Sequence, residues 1–269
     1  MPEGHTLHRL ARLHQRRFAG APVEVTSPQG RFAEASRVDG AVLVKAEAYG
    51  KHLFHHYPSV GAVHVHLGLY GTFTEAKLPV LAPVGQVRMR MVGKTHWTDL
   101  RGPTRCELLT PDQVDAIKAR LGPDPLRRDA KPEQAYEKIS ASRTSIAALL
   151  MDQAVVAGIG NVYRAELLFR HGVPPMRPGR LLDHETWQEM WADLVVLMRH
   201  GVRVGRIDTV ADEHLPHVTG RAPREDRHGG EVYVYRRTGQ PCLVCGTPIA
   251  HRELAGRNLY WCPVCQPED

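Results

Sequence analysis

Residues able to do chemistry lie near both ends of this chain. Pro2 and Glu3 follow Met1, and removal of Met1 would leave Pro2 with a free secondary amine. Such an amine is a nucleophile, whereas an internal proline has spent the same nitrogen on its peptide bond. A terminal amine has an ordinary pKa of about 8, so a sizeable fraction is unprotonated at neutral pH and ready to form an iminium with an electrophilic carbon. The carboxylate of Glu3 would lie beside that carbon.

At the other end, four of the five cysteines form two Cys-x-x-Cys pairs separated by sixteen residues: Cys242, Cys245, Cys262 and Cys265. The short spacing lets both sulfurs of a pair bind one ion, and two pairs complete a tetrahedral site. Two disulfides are the alternative, but the first twenty residues contain no apolar signal segment, and we expect a reducing, cytoplasmic location. One structural zinc ion is therefore predicted, with no ligand position left open for catalysis.

The composition is that of a globular protein, and its charge is compatible with an anionic partner. Hydrophobic residues make up 42% of the 269 residues, and 35 Lys and Arg against 29 Asp and Glu give a net charge of +6. This excess is modest, and it agrees with a polyanionic partner without identifying one. No apolar run approaches the roughly 18 residues that a membrane-spanning helix needs, so we expect no membrane partner.

The elements that must position these residues change character along the chain. A helix is predicted over 6–18, followed by glycine-punctuated β-rich runs at 41–49, 52–57, 62–67, 87–92 and 95–100. These runs indicate a β-sandwich or barrel. Thr110, Pro111 and Gln113 form the capping signature of a helix that starts a second, helical region.

Further helices are predicted over 132–140, 145–152, 161–170 and 183–200. An apolar, glycine-rich turn at 156–161 precedes the third of them, and such a turn lets backbone amides approach a phosphate at the helix N-terminus. Residues 207–230 are polar and irregular, and we interpret them as a mobile connector to the zinc module.

Five motifs together resemble the bacterial formamidopyrimidine-DNA glycosylase and endonuclease VIII family. They are PEGHT at 2–6, YGKHL at 49–53, HLGLYG at 66–71, GIGNVYRAELLF at 158–169 and GRNLYWCPVC at 256–265. The resemblance spans essentially the whole chain and implies an α+β fold with three parts. These are a two-layer β-sandwich domain (1–109), a helix-two-turn-helix domain with its connector (110–230) and a zinc-ribbon module (231–269).

The resemblance also implies a bifunctional DNA glycosylase and abasic-site lyase of base excision repair. Pro2 would attack C1′ of a damaged nucleotide, expel the base and leave a Schiff base, whose positive charge acidifies the C2′ proton for β- and then δ-elimination. Glu3 resembles the family's general acid, and Lys51 resembles its proton donor and phosphate contact. Arg257, between the cysteine pairs, matches the finger arginine implicated in δ-elimination.

The remaining site residues are expected to bind double-stranded DNA that contains damaged bases or abasic sites. Asn161 resembles the asparagine that clamps a phosphate, and Arg120 resembles a DNA-binding arginine of the endonuclease VIII branch. Because the nucleotide must leave the duplex, Leu69 is predicted to fill the gap, with Tyr70 stacking beside it. The resemblance to the family also implies a monomer.

Departures from the family limit the substrate prediction. His5 and Thr6 stand where a proline and a second glutamate are usual, and Gly68 precedes the predicted wedge. Gly4 and the Leu-Tyr-Gly triplet favour the endonuclease VIII side, and hence oxidised pyrimidines. Two alternatives stay open: lyase action on abasic sites alone, and a zinc-ribbon DNA-binding protein without chemistry.

The histidines at 52, 55, 56, 64 and 66 raise the question of a second metal. His64 and His66 share a strand face, yet nothing in the sequence completes a ligand set. We expect these histidines to be hydrogen-bonded or to face DNA.

Overall fold

The computed structural model describes residues 2–225 and 230–268. The chain divides into two compact units, Met1–Arg120 and Leu121–Asp269, and each has its own apolar core. Among the helices of the described residues, none combines the length and the apolar composition that crossing a bilayer requires.

The first unit is a β-sandwich that is covered at the start of the chain by a long helix. Helix α1 (Gly4–Phe18) precedes the short strands β1 (Ala21–Pro22) and β2 (Glu24–Thr26), the one-turn helix α2 (Ala35–Val38) and β3 (Val42–Leu43). The strands β4 (Lys45–Tyr49), β5 (His52–Tyr57), β6 (Gly61–His66), β7 (Thr72–Lys77), β8 (Val87–Val92), β9 (His96–Arg101) and β10 (Arg105–Leu109) follow, and helix α3 (Pro111–Ala119) ends the unit.

Two antiparallel four-stranded sheets form the layers, in the orders β10-β6-β5-β4 and β2-β8-β9-β7. Alternation along the strands sends one set of side chains inward, where Leu53, Val63, Met89 and Leu100 are at most 2% exposed. Buried positions of α1 recur at helical spacing, at Leu7, Ala11, His14 and Phe18, and its apolar residues join the same core. The two-layer sandwich implied by the resemblance is confirmed.

Helix α3 begins as the capping signature predicts. Thr110 accepts a hydrogen bond from the backbone of Gln113, and the Gln113 side chain accepts one from the backbone of Thr110. Its buried residue Val114 packs on Phe54 and Ala62, so this helix covers part of the outer face of the first sheet. Its C-cap residue, Arg120, is the last residue of the first unit.

The second unit is mainly helical. It contains α4 (Pro132–Ser140), α5 (Ile146–Leu149), α6 (Asn161–Arg170), α7 (His184–Val204) and α8 (Pro216–Thr219), with 3₁₀ turns at Gly179–Leu181 and Asp212–His214. A hairpin of β11 (Ala250–Leu254) and β12 (Arg257–Trp261) follows. Helices α4 and α6 have the predicted bounds, and Gly172 follows α6 with φ +61°, as a helix-ending glycine does.

Three predictions about local structure were incomplete or wrong. The strands β2, β7 and β10 were not predicted, and α5 is shorter than the predicted helix at 145–152. Part of the predicted irregular connector is ordered, because a 3₁₀ turn and α8 occupy 212–219. Positions 226–229 of that connector lie outside the described residues.

Candidate functional site

The predicted nucleophile and acid lie where the first helix begins. Glu3 is the N-cap residue of α1, with an extended backbone (φ −120°, ψ −179°), and its carbonyl oxygen accepts a hydrogen bond from the Thr6 backbone at 2.9 Å. The Glu3 side chain is fully buried, and Pro2 is half-buried. A helix N-terminus favours negative charge, so this position suits a carboxylate. Met1, whose removal the prediction requires, lies outside the described residues.

Burial also determines the charge of the neighbouring histidine. His5 is 4% exposed, and its burial lowers the pKa of the imidazole to about 3. A neutral imidazole therefore stands in the first turn of α1 at the position where the family usually has a proline. Its Nε2 lies 3.3 Å from the Thr6 hydroxyl oxygen.

Lys51 lies in a tight turn that is fixed by the strands on either side. Tyr49 pairs with His52 in the antiparallel register, which leaves Gly50 and Lys51 as the two turn residues. Gly50 has φ +54°, a conformation that glycine adopts without steric cost. Lys51 thus lies at the end of the β4–β5 hairpin.

Two of the predicted cationic residues act on one histidine of the first unit. The pKa of His52 is lowered to about 3, first by burial and then by electrostatic interactions with its neighbours, among which Arg120 and Lys51 are cationic. Lys51 and Arg120, which are far apart in sequence, therefore contribute to the same positive region. Such a region is suited to phosphate groups.

The histidines of this sheet are hydrogen-bonded. His64 Nδ1 lies 3.1 Å from a Glu107 oxygen, and His64 Nε2 lies 2.8 Å from His52 Nδ1. Since a carboxylate only accepts, His64 must donate from Nδ1, and because burial lowers its pKa and favours the neutral ring, its Nε2 accepts. A second pair, His14 and His55, is buried between α1 and β5 with a nitrogen–nitrogen distance of 2.9 Å. Within the part of the chain that the structure describes, the cysteine group is the one cluster suited to a metal.

Leu69 and Tyr70 project from the loop between β6 and β7. Their exposed fractions are 49% and 86%, which is unusual for large apolar side chains. The residues on either side are anchored: Leu67 is 2% exposed, and its carbonyl oxygen accepts a hydrogen bond from the Gly71 backbone at 2.9 Å. The Leu67–Gly71 hydrogen bond thus closes the loop, and Leu69 and Tyr70 form its exposed tip.

In the second unit, the start of α6 contacts the hairpin β11–β12. The Asn161 side-chain amide donates to the carbonyl oxygen of Asn258 at 2.9 Å, and Arg164 donates to the same oxygen at 3.2 Å. Asn258 is the neighbour of Arg257, which is exposed at the start of β12. The structure therefore brings together the two predicted DNA-binding positions of this unit.

Two buried charged residues of the same helix were not identified from the sequence. Arg164 is 1% exposed and also donates to the Asn161 side-chain oxygen, so it holds that amide in place. Glu166 is fully buried and accepts hydrogen bonds from Thr209 and from the backbones of Tyr233, Val234 and Tyr235. The charged residues in a helix that is otherwise largely apolar were the signal available in the sequence. Their contacts could not be predicted, because their partners lie far along the chain.

The four cysteines on either side of the β11–β12 hairpin form a candidate metal centre. Their sulfur atoms all lie within 4.8 Å of one another, with Cys242–Cys265 at 3.9 Å and Cys245–Cys262 at 3.4 Å. Four sulfurs bound to zinc at about 2.3 Å in a tetrahedron are about 3.8 Å apart, so the donor set fits this ion. None of the four is in a disulfide, which removes the alternative considered from sequence.

Three family models cover most of the chain. The formamidopyrimidine-DNA glycosylase N-terminal domain matches 1–106, the H2TH domain of the same glycosylase matches 121–212, and the zinc finger found in FPG and IleRS matches 239–267. The fold and the cysteine site thus define a zinc-finger DNA glycosylase of base excision repair.

The chain belongs to the formamidopyrimidine-DNA glycosylase and endonuclease VIII family. It is 59% identical to endonuclease 8 1 of Mycobacterium tuberculosis over 99% of this chain and 100% of that protein. It is 33% identical to a Synechococcus formamidopyrimidine-DNA glycosylase over 76% of this chain and 72% of that one. The crystal structure of MutM (Fpg) from Thermus thermophilus has a TM-score of 0.77 and 26% identity, covering both chains fully.

Family members are DNA glycosylases with abasic-site lyase activity, which confirms the predicted enzyme class. A Lactococcus lactis Fpg bound to DNA with an abasic site matches 99% of this chain with a TM-score of 0.76. At 22% identity, that likeness shows the shared fold alone.

Proposed function

We propose that this chain removes oxidised bases from double-stranded DNA through the terminal amine of Pro2 and then cleaves the strand. The observation that carries the proposal is the placement of Pro2 and the buried Glu3 together at the start of α1. A nucleophile and a carboxyl group that are adjacent in sequence, and held by a helix start, reach the same sugar carbon.

The reaction follows from the chemistry of a secondary amine. The Pro2 nitrogen bonds to C1′, the bond from C1′ to the base breaks, and the base leaves with the proton that the Pro2 nitrogen gives up. The sugar ring opens to an iminium, and Glu3 in its protonated form supplies the proton to the departing ring oxygen. The iminium withdraws electrons, so loss of a C2′ proton breaks the C3′–O bond, and a second elimination breaks the C5′–O bond. Water finally releases Pro2.

The other predicted residues have supporting positions in this scheme. Lys51, on its hairpin turn, would contact a phosphate and donate a proton during β-elimination, and Arg120 would add positive charge to the same region. Asn161 would bind a phosphate in the second unit, next to the exposed guanidinium of Arg257. The four cysteines would hold one zinc ion, which keeps the Arg257 hairpin folded.

We infer oxidised pyrimidines as the preferred substrates. The relative that is 59% identical over nearly the whole chain is named an endonuclease 8. Gly4 after Pro2-Glu3, and the Leu69-Tyr70 tip, agree with that branch. The narrower alternative, cleavage of abasic sites alone, is favoured by one observation: His5 is a buried, neutral residue where the family usually has proline.

Reductive trapping tests the proposal. Borohydride converts the iminium to a stable amine, so the wild-type protein should become covalently joined to a thymine-glycol duplex. Pro2→Gly should weaken the adduct, and an N-terminal tag that makes Pro2 internal should abolish it, while the same tag at the C-terminus serves as the matched control. Full trapping by the N-terminally tagged protein would exclude Pro2 as the nucleophile.

A panel of duplexes separates the alternatives. Cleavage of thymine-glycol, 8-oxoguanine and abasic duplexes is compared at equal enzyme concentration. Activity on the abasic duplex alone would support the lyase alternative, and binding without cleavage of any duplex would support a DNA-binding protein without chemistry.

A further inference from the structure

The loop that carries Leu69 and Tyr70 is held by a second loop of the same unit. Strand β9 ends at Arg101 and β10 begins at Arg105, so Gly102, Pro103 and Thr104 form the turn between them. The backbone nitrogen of Thr104 donates to the carbonyl oxygen of His66 at 2.9 Å, and the Thr104 hydroxyl oxygen lies 3.0 Å from the same carbonyl oxygen. His66 is the last residue of β6, from which the exposed tip departs.

The His66 ring also contacts both loops, through Gly68 and Thr104. Its Nδ1 accepts a hydrogen bond from the Gly68 backbone at 3.2 Å and lies 2.8 Å from the Thr104 hydroxyl oxygen. A backbone N–H can only donate, so Nδ1 must be the unprotonated nitrogen of this ring, and the Thr104 hydroxyl donates its proton to it. Burial lowers the pKa of His66, which agrees with a neutral ring.

Gly68 fits against the Thr104 side chain. It has φ +67°, and a Cβ at this position would lie 2.4 Å from the Thr104 methyl carbon. The Thr104 methyl group therefore fills the space beside the loop, and the turn at Gly68 accepts neither a side chain nor a shift toward Thr104. Thr104 is itself exposed, so its contacts serve this loop and not the apolar core.

We propose that Thr104 is a positioning residue that fixes the Leu69–Tyr70 tip for entry into the DNA base stack. The proposal rests on the proposed function, in which this tip fills the gap left by the extruded nucleotide. Extrusion of the nucleotide costs a few kcal/mol. If the tip were disordered before binding, the entropy cost of ordering it would offset part of the free energy gained from its contacts with DNA. Three hydrogen bonds and one methyl contact order the tip before DNA arrives.

The test compares substrates that do and do not require extrusion. Thr104→Val keeps the shape of the side chain and removes its hydroxyl. We expect single-turnover excision of thymine glycol from a duplex to slow by about fivefold, the size of effect that loss of an exposed hydrogen bond can produce. Cleavage of an abasic site in single-stranded DNA should be unchanged. Thr95→Val is the matched control, because Thr95 is also an exposed turn residue whose hydroxyl lies 2.8 Å from a histidine Nδ1, that of His96.

A spectroscopic measurement separates positioning from general damage to the fold. A 2-aminopurine base beside the lesion brightens when the stack opens, and this phase should be slower in Thr104→Val. Thr104→Ser, which keeps the hydroxyl, should restore most of the rate. Equal slowing on duplex and single-stranded substrates, or an unchanged rate of stack opening, would overturn the role of Thr104.

Leu69→Ala separates this inference from the proposed function. If Leu69→Ala slows duplex excision and Thr104→Val does not, the tip acts without support from Thr104 and the inference fails alone. If Leu69→Ala leaves duplex excision unchanged, the wedge role on which the inference rests is excluded as well. Reductive trapping through Pro2 is measured in a separate experiment, and its result tests the proposed chemistry only.

Discussion

Replacement of Glu166 by glutamine should destabilise the second unit while leaving its shape unchanged. One oxygen of this buried carboxylate accepts from the backbones of Val234 and Tyr235, at 2.9 and 2.8 Å. The other accepts from the Tyr233 backbone and the Thr209 hydroxyl, at 2.7 and 2.6 Å. In glutamine, an NH₂ group replaces one acceptor, so at least one buried N–H loses its partner.

The expected loss follows from these four contacts. An unsatisfied buried N–H costs about 1–3 kcal/mol, and each bond that changes from a charged to a neutral acceptor weakens by about 1 kcal/mol. The Thr209 hydroxyl can rotate to accept from the new amide, which limits the damage. Glu166→Gln should therefore lower the free energy of unfolding of this unit by about 3–5 kcal/mol.

Urea unfolding and amide hydrogen exchange measure this loss. The amides of residues 233–235 should lose protection by roughly 100-fold, which is the factor that about 3 kcal/mol corresponds to. Glu189→Gln, at an exposed position of α7, is the matched control. A change of less than about 1 kcal/mol in Glu166→Gln would show that the carboxylate does not hold this segment.

Two further predictions concern the metal centre and pH. Cys262→Ser removes one of four clustered sulfurs, so zinc content by atomic absorption and DNA affinity by anisotropy should both fall, and unchanged values of both would contradict the assignment. Burial lowers the pKa of His5 to about 3 and holds that of His55 well below its ordinary value. The unfolded chain therefore takes up protons first as the pH falls below about 6.5, and each histidine should cost about 1.4 kcal/mol of stability per pH unit. The urea midpoint should fall less steeply with decreasing pH in His55→Gln than in the wild-type protein. His251→Gln, at an exposed position, should keep the wild-type slope, and equal slopes in the two variants would refute the burial argument.

Local signals in the sequence predicted most of the elements. The capping residues around Thr110 fixed the start of α3, and the glycine at 172 fixed the end of α6, because both act within a few residues. Strands β5 and β8, rich in apolar and β-branched or aromatic residues, were predicted with their observed bounds. Strand β7 was missed because none of its six residues is fully buried and its sequence carries no apolar alternation.

The contacts that build the site were not predictable in the same way. Asn161 and Asn258 are 97 positions apart, and Glu166 bonds to residues 67–69 positions away. The motifs identified Asn161 and Arg257 separately, but nothing in either motif says that Asn161 bonds to the backbone carbonyl of Asn258, the residue after Arg257. Similarly, Thr104 carries no motif, and its role depends on how a turn of three residues meets the end of β6.

This long-range link gives the zinc centre a consequence beyond the hairpin itself. The Asn258 carbonyl oxygen is the acceptor for two buried side chains, Asn161 and Arg164. If the metal is lost and the hairpin unfolds, those donors lose this acceptor, and the amide proposed to bind phosphate is no longer held in one orientation. Zinc removal should therefore weaken DNA binding by more than the loss of the Arg257 contact alone. The comparison is direct: the affinity of zinc-free protein should be lower than that of the zinc-loaded Arg257→Ala variant, and equal affinities would show that the hairpin does not support α6.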